Sequence, residues 1–282
     1  MDTKKEILKK VITFSVITCF ISTGIFIWMF AGARDSFPAV LSMMYTPGIS
    51  AILTALIFKE KISRFGWRLG RPKYLVYSFL APMIVSIIGY GIIWMTGFAD
   101  FSTEAVKNYK WAAMIGFDLP VPFLIGFFSK MIIASSLTML ATFGEELGWS
   151  GYLTPKLRNI FSITSTSLIV GIFWAVWHFP AIIGGFYGGG TPLWVALPGF
   201  TLVLIGASFF RTFLVDKSKS LWVGVILHAS HNVILMGMFM EMTADKGYAR
   251  YLVSETGVFL GIVYITVALL FGKLCLHNNI AQ

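Results

Sequence analysis

The sequence predicts an all-α membrane protein with about eight transmembrane helices. Three observations predict it: the composition, the apolar segments and the distribution of basic residues. Of the 282 residues, 57% are hydrophobic and only 12% are charged, whereas a soluble domain has about 25% charged residues. The mean hydropathy is +0.79. The length suits one transmembrane domain over residues 1–282, with short loops between its helices.

Eight apolar segments are each long enough to cross the hydrocarbon core, which takes about 20 helical residues. The first, residues 11–31, follows a basic N-terminus. It is longer than the apolar region of a signal peptide, so we interpret it as a retained helix. The other predicted spans are residues 38–58, 74–97, 121–153, 164–186, 192–215, 221–241 and 252–274.

Two of the predicted loops have unusual compositions. Residues 98–119 form a long, charged connection that suits an amphipathic segment at the outer surface. Residues 184–190 contain five glycines and no charge. This second segment is either a flexible turn or a gate that lines a cavity.

The basic residues predict the orientation of the helices. Sixteen lysines and arginines fall on the N-terminal side of the eight predicted spans, and five fall on the other side. Because cytoplasmic loops of membrane proteins are enriched in these residues, both termini are expected in the cytoplasm. The same loops account for the net charge of +9. The expected partner is therefore the lipid bilayer and not a nucleic acid.

Ionisable side chains inside the predicted spans indicate a functional site, because such groups are costly in a bilayer. Glu145 and Glu146 are adjacent in the fourth span, His178 lies in the fifth, and His228 and Asn232 lie in the seventh. Neighbours in a helix point about 100° apart. One carboxylate can therefore face a reacting atom while the other braces it, or pairs with a cation or a helix end.

These residue types suit the hydrolysis of a peptide bond without a protein nucleophile. His228 and Asn232 are four residues apart and share a helical face, so their N–H groups can stabilise a developing oxyanion. His178 and a glutamate can activate a water molecule as a general base. No cofactor is required. The alternative is a zinc ion bound by Glu145, His178 and His228, although the chain has no His-Glu-x-x-His motif.

The chain resembles the CPBP intramembrane proteases, a family that includes the CAAX endopeptidases and the bacterial Abi, or bacteriocin-immunity, proteins. The family pattern is Glu-Glu-x-x-x-Arg, then Phe-x-x-x-His, then His-x-x-x-Asn, each on its own membrane helix. Here the pattern reads Glu145-Glu146 with Ser150, Trp174 with His178, and His228 with Asn232. The resemblance covers a protease core at residues 121–240.

The resemblance implies an intramembrane endopeptidase of the bacterial plasma membrane that acts on a peptide or membrane-protein substrate. Glu145 with His178 would activate water, His228 with Asn232 would form the oxyanion site, and Glu146 would support them. We expect the site to be reached from the cytoplasmic half. The sequence does not indicate an oligomeric state.

Two departures from the pattern leave alternatives open. Trp174 replaces the family phenylalanine and keeps an aromatic wall. Ser150 replaces the family arginine, which removes a cation that could pair with Glu146 or with a substrate carboxylate, and so weakens the expectation of a prenylated CAAX substrate. A catalytically silent immunity or scaffold protein is one alternative. A proton-coupled transporter is the other.

Overall fold

The computed structural model describes residues 2–34, 36–102, 123–186 and 188–277, and most of them are helical. Within these residues, seven helices are long and apolar enough to cross a membrane, and the shorter apolar stretch Val258–Lys273 is a candidate for an eighth. The predicted class of an all-α, polytopic membrane protein is therefore confirmed. The amphipathic segment predicted within residues 98–119 lies mostly outside the described residues.

The first three helices each begin at a recognisable signal. Helix α1 (Lys4–Trp28) starts at a capping box formed by Thr3 and Glu6, and it continues as the π-helical turn Met29–Ala33. Helices α2 (Phe37–Ile57) and α3 (Pro72–Met95) carry a proline in their first turn, where its missing N–H costs least. A short 3₁₀ turn, Ile62–Arg64, lies between α2 and α3.

The fourth membrane helix is longer than the sequence predicted. Helix α4 (Phe123–Gly148) passes through the π-helical turn Trp149–Leu153 into α5 (Thr154–Arg158). The predicted span ended at Leu153, with Lys156 and Arg158 after it. Pro155 lies in the first turn of α5, a position that lets the rod continue.

The remaining helices complete the bundle. Helix α6 (Ile163–Ile183) is capped by Ser162, and α7 (Leu193–Ser218) ends at Lys219 in a left-handed conformation. Helix α8 (Trp222–Ser230) continues as the long π-helical segment His231–Phe239. A short helix, α9 (Ala249–Leu252), precedes α10 (Val258–His277).

Two short strands lie at the end of the bundle opposite the N-terminus, and the sequence did not predict them. Strand β1 (Ala99–Phe101) pairs antiparallel with β2 (Thr243–Asp245). They join the chain after α3 to the chain after α8. Strands of three residues are too short to show an alternating pattern.

Glycines bring α2 and α4 into close contact beside the two glutamates. A Cβ atom at Gly148 would lie 2.5 Å from the backbone of Pro47, and one at Gly144 would lie 2.8 Å from the Cα of Tyr45. Real side chains do not tolerate such distances. Small residues at four-residue spacing allow the backbones of membrane helices to approach in this way, and here they set the position of Glu145 and Glu146.

The N-terminal end of the bundle is closed by an aromatic cluster and an ion network. Phe14 packs with its ring centroid 5.8 Å from that of Trp149 and 5.5 Å from that of Tyr152. At the surface, Glu60 accepts hydrogen bonds from Lys10 at 2.9 Å and from Lys156. These contacts separate the middle of the bundle from the N-terminal surface.

Candidate active site

Four of the five predicted site residues line one cavity of about 400 Å³. Glu145 comes from α4, His178 from α6, His228 from α8 and Asn232 from the π-helical segment that continues α8. The fifth residue, Glu146, lies behind this cavity. Three helices that are distant in sequence therefore bring two imidazoles, a carboxylate and an amide to one space.

The rest of the cavity is mostly apolar, and it opens toward the end of the bundle opposite the N-terminus. Its rim includes the exposed Arg34, after α1, and the partly buried Phe186, after α6. Side chains from α1, α2 and α6 form the walls: Phe26, Met29, Val40, Met43, Met44, Trp177 and Ala181.

The lining therefore does not fit access from the N-terminal half of the bundle, the half that the sequence analysis takes to be cytoplasmic. That expectation assumed that the helix of Glu145 ends at Leu153, whereas the rod continues to Arg158. Glu145 is thus about 20 Å from that end, at a rise of 1.5 Å per residue. His178 lies at a similar distance from the start of α6 at Ile163. Both side chains are deep in the bundle, above the aromatic cluster.

The glycine-rich segment at residues 184–190 contributes to the rim. Phe186 lines the cavity, so part of this segment lies at the cavity, and whether it acts as a gate or as a flexible turn stays a prediction. The Arg34 guanidinium donates to the carbonyl oxygen of Gly185 and lies 4.7 Å from the centroid of the Phe186 ring. These contacts link the end of α1 to the end of α6.

Two indoles hold the Glu145 carboxylate. Its Oε2 accepts hydrogen bonds from Trp149 Nε1 at 3.3 Å and from Trp174 Nε1 at 2.9 Å. The side chain is buried, with 3% exposure. Because both indoles use Oε2, Oε1 is the oxygen available to a molecule in the cavity.

His178 is oriented by its own helix. Its Nδ1 lies 2.9 Å from the carbonyl oxygen of Trp174, one turn earlier. A carbonyl oxygen can only accept, so Nδ1 carries the proton and Nε2 is the basic nitrogen. The ring packs between Trp177, at 4.7 Å between centroids, and Phe200, at 5.1 Å.

His228 is held between Glu146 and Trp174. Its Nδ1 lies 3.2 Å from Glu146 Oε1, within ion-pair range but without the alignment of a good hydrogen bond. Its ring meets that of Trp174 edge to face, at 5.0 Å. Asn232 follows one turn later and lines the same cavity.

Glu146 pairs with a cation that the sequence analysis missed. Its Oε1 is 3.1 Å from Arg211 Nη1, and its Oε2 accepts a hydrogen bond from Ser150 Oγ. Glu145 thus faces the cavity while Glu146 pairs with a cation, which is one of the arrangements that the sequence left open for the two glutamates. Arg211 had been assigned to the cytoplasmic end of its span. The four residues that follow it, Thr212–Val215, are all buried, and their largely apolar character was the signal that Arg211 lies inside the bundle.

His231 points away from the cavity. Its Nδ1 lies 3.4 Å from the Tyr264 hydroxyl, and its side chain borders a small internal space that Arg211 also lines. His231 does not line the cavity of the four predicted residues, although Glu146 and His228 also border the small space beside it.

The alternative zinc set is not assembled as a metal site. Among the described residues, no three His, Cys, Asp or Glu side chains lie close enough together to hold one ion. Glu145 is turned toward two indoles, and the Nδ1 of His178 is turned toward a carbonyl. The dependence of any activity on metal is a matter for experiment.

Comparison with known proteins matches residues 127–234 to the family described as "Type II CAAX prenyl endopeptidase Rce1-like". This match supports the resemblance to the CPBP family. The matched residues contain all three motifs and lie within the predicted core at 121–240. The resemblance accounts for the order of the glutamates, His178 and the His228–Asn232 pair along the chain.

Two kinds of known protein are similar to this chain. "CAAX prenyl protease 2" of Methanococcus maripaludis is 28% identical over 264 residues, which is 85% of this chain and 88% of that protein. "Lysostaphin resistance protein A" of Staphylococcus haemolyticus is 24% identical over 225 residues. That alignment covers 79% of this chain but 56% of the staphylococcal protein. The similarity supports a protease, and it leaves the substrate and the catalytic subtype to be determined.

Proposed function

We propose that this chain is an intramembrane endopeptidase of the CAAX-protease type, which hydrolyses a peptide bond in a membrane-associated or hydrophobic substrate. The observation that carries the proposal is the meeting of Glu145, His178, His228 and Asn232 in one cavity. The match to an endopeptidase family over the same helices supports it independently.

In the proposed reaction, a water molecule between Glu145 and His178 attacks the carbonyl carbon of the scissile bond. Glu145 takes one proton of that water as the new C–O bond forms, and Nε2 of His178 helps to orient and polarise the water. His228 and Asn232 donate hydrogen bonds to the resulting oxyanion. When the tetrahedral intermediate collapses, the C–N bond breaks and the proton on Glu145 passes to the leaving amine.

The lining of the cavity suggests the class of substrate. Phenylalanine, methionine and valine side chains make up most of its walls, and one cation, Arg34, lies at its rim. An extended apolar peptide segment fits these walls better than a polar one. The name of the archaeal relative refers to prenylated CAAX proteins, which makes a lipid-modified C-terminal peptide the first substrate to test.

Cleavage of a library of hydrophobic and prenylated peptides by the detergent-purified protein tests the proposal. We expect Glu145→Gln and His228→Gln to lower kcat by about 100-fold or more, because each removes a group that acts on the reacting atoms. His231→Gln is the matched control, because this histidine faces away from the cavity. Wild-type cleavage that persists in Glu145→Gln would contradict the mechanism.

A chelator arm separates the two catalytic subtypes. Activity that survives prolonged chelation, and is not increased by added zinc, supports the metal-free glutamate mechanism. Activity that is lost on chelation and restored by zinc supports the metal alternative at Glu145, His178 and His228.

The same samples distinguish the two other functions that the sequence left open. A scaffold or immunity protein would bind its target without cleaving any peptide. A transporter would show proton-coupled flux in vesicles that is lost in Glu145→Gln, again without cleavage. The scaffold alternative depended on the missing motif arginine. Arg211 now supplies a cation beside Glu146, which weakens that argument.

A further inference from the structure

Arg211 is a buried cation in the last third of the membrane helix α7. Its side chain is 1% exposed, and that of its partner Glu146 is 0% exposed. Charged groups at such a position are costly and are retained where they have a role. Arg211 makes three contacts: Nη1 with Glu146 Oε1 at 3.1 Å, Nη2 with Ser208 Oγ at 2.7 Å, and its guanidinium carbon 4.3 Å from the centroid of the Trp174 ring.

Two of these contacts lead directly to the proposed reacting groups. Glu146 Oε1, which binds Arg211, is also 3.2 Å from His228 Nδ1. Trp174, which lies under the guanidinium, donates its indole N–H to Glu145 Oε2. Arg211 does not line the main cavity. It can therefore influence both His228 and Glu145 without touching a substrate.

We propose that Arg211 is a positioning residue of the site, and that it supplies from α7 the cation that the CPBP pattern carries at position 150. It pairs with Glu146 Oε1 and orients that carboxylate, and Glu146 in turn holds His228 toward the oxyanion. The inference rests on the proposed function. It adds a fourth helix to the three that carry the motif residues.

The small side chain of Ser150 allows the cation to come from position 211 and not from position 150. It lies one turn after Glu146 on the same rod and donates its hydroxyl to Glu146 Oε2. A cation at position 150 would reach the same carboxylate, because residues four apart share a helical face. Ser150 also touches Gly224, where a Cβ atom would overlap its Oγ. A larger side chain at 150 therefore needs space, and shortening residue 211 provides it.

The test is a cycle of four proteins: wild type, Arg211→Ala, Ser150→Arg and the double variant Ser150→Arg/Arg211→Ala. One carboxylate, Glu146, meets no cation in the first single variant and two cations in the second. We expect each single variant to lose about tenfold or more in kcat, with KM changed less than about twofold, because the substrate does not contact either residue. The double variant should recover most of the lost kcat.

Two further variants control the cycle. Arg211→Lys keeps the charge and should retain more activity than Arg211→Ala. Arg158→Ala removes an arginine that pairs with Asp216 at 3.2 Å, near the N-terminal end of the bundle and away from the site. It should leave kcat unchanged.

Thermal unfolding of the same proteins in detergent separates the failure of this inference from the failure of the proposed function. We expect both single variants to unfold at lower temperature than wild type, and the double variant to unfold at a higher temperature than either. This pattern depends on the pairing with Glu146 alone and needs no substrate. A double variant that is no more stable and no more active than Arg211→Ala overturns the exchange of positions. If the cycle holds for stability but wild type cleaves nothing, the pairing stands and the proposed protease function fails.

Discussion

Trp174 shows how one substitution within a motif changes what the side chain does. The sequence analysis treated it as an aromatic wall in place of the family phenylalanine, and favoured packing over recognition. In the structure its ring packs against His228 and Arg211, and its indole N–H binds Glu145. A phenylalanine could make the ring contacts but could not donate the hydrogen bond.

Replacement of Trp174 by the family phenylalanine is therefore expected to reduce activity. A hydrogen bond to a charged group is worth about 1.5–3 kcal/mol, which corresponds to a loss of about tenfold or more in kcat. Peptide cleavage by purified Trp174→Phe measures the effect. Trp222→Phe is the control, because that indole donates to the carbonyl of Trp67 at the bundle surface. Equal activity in Trp174→Phe and wild type would show that the second indole, Trp149, is sufficient.

Helical spacing explains why part of the site could be predicted from the sequence. Adjacent residues in a helix must diverge, so Glu145 and Glu146 had to face different surroundings, and residues 228 and 232 had to share a face. The partner of Glu146 could not be predicted in this way. Arg211 is 65 positions away, and its approach depends on how α7 packs against α4.

Among the helices, the close contact of α2 with α4 decides where the glutamates lie. Gly144 and Gly148 bracket the pair on the face that meets Tyr45 and Pro47. The π-helical turn that follows, Trp149–Leu153, allows the rod to continue after this contact. Such turns often occur at functional sites, and here the turn carries Trp149 to Glu145 and Ser150 to Glu146.

A single methyl group at this contact is expected to disturb both stability and activity. In Gly148→Ala the new Cβ would lie 2.5 Å from the Pro47 backbone, so α4 must move away from α2 and displace Glu145. Overpacking of this kind typically costs about 1–3 kcal/mol. Gly91→Ala in α3 is the matched control, because nothing lies within 4 Å of its Cβ position.

Thermal unfolding and peptide cleavage of both alanine variants provide the measurement. Gly91→Ala should match or slightly exceed the stability of wild type, since alanine favours a helix over glycine. If Gly148→Ala is as stable and as active as Gly91→Ala, the contact does not position the glutamates.

Across the whole bundle, the two ends have different roles. The N-terminal end is closed by aromatic packing and by the network of Asp2, Lys10, Glu60 and Lys156. The opposite end carries the short sheet, the glycine-rich segment and the rim of the cavity. The positive-inside prediction places the N-terminus in the cytoplasm, so the cavity would then open toward the outer face of the membrane.

Cysteine labelling tests where the cavity opens. In a background with Cys19 and Cys275 replaced by serine, Val40→Cys and Ala181→Cys should react with a membrane-impermeant maleimide from the side opposite the N-terminus. Asn159→Cys, an exposed position after α5, should react from the N-terminal side. Labelling of all three from one side would contradict this arrangement.

The ion network predicts a loss of stability in acid. Burial alone would raise the pKa of Glu60, but hydrogen bonds from Lys156 and Lys10 outweigh it and hold that pKa below its usual value of 4.5. A carboxyl group with a lowered pKa stabilises the fold above its unfolded pKa, and this contribution disappears as the pH falls through the folded pKa. The unfolding temperature should therefore fall by a few degrees below about pH 4.5.

The unfolding temperature of Glu60→Gln, measured as a function of pH, tests whether Glu60 causes the loss of stability in acid. The variant should unfold at lower temperature than wild type at pH 7, and the difference should shrink below about pH 4. Asp100→Asn, which removes an exposed pair with Lys246, should keep the wild-type profile. If the unfolding temperature of Glu60→Gln falls in acid as much as that of wild type, groups other than Glu60 cause the loss of stability.

Local chemistry along the chain was enough to predict the class of protein, most of its spans, the family resemblance and the residues of the candidate site. Hydropathy and helical spacing act over a few turns, so they can be calculated without knowing how the helices pack. Only the assembled bundle shows on which side the cavity opens and that Glu146 turns toward Arg211. It also shows that Trp174 both packs against His228 and Arg211 and donates a hydrogen bond to Glu145. Each depends on contacts between helices far apart in the sequence, and the chain carries no local signal for such contacts.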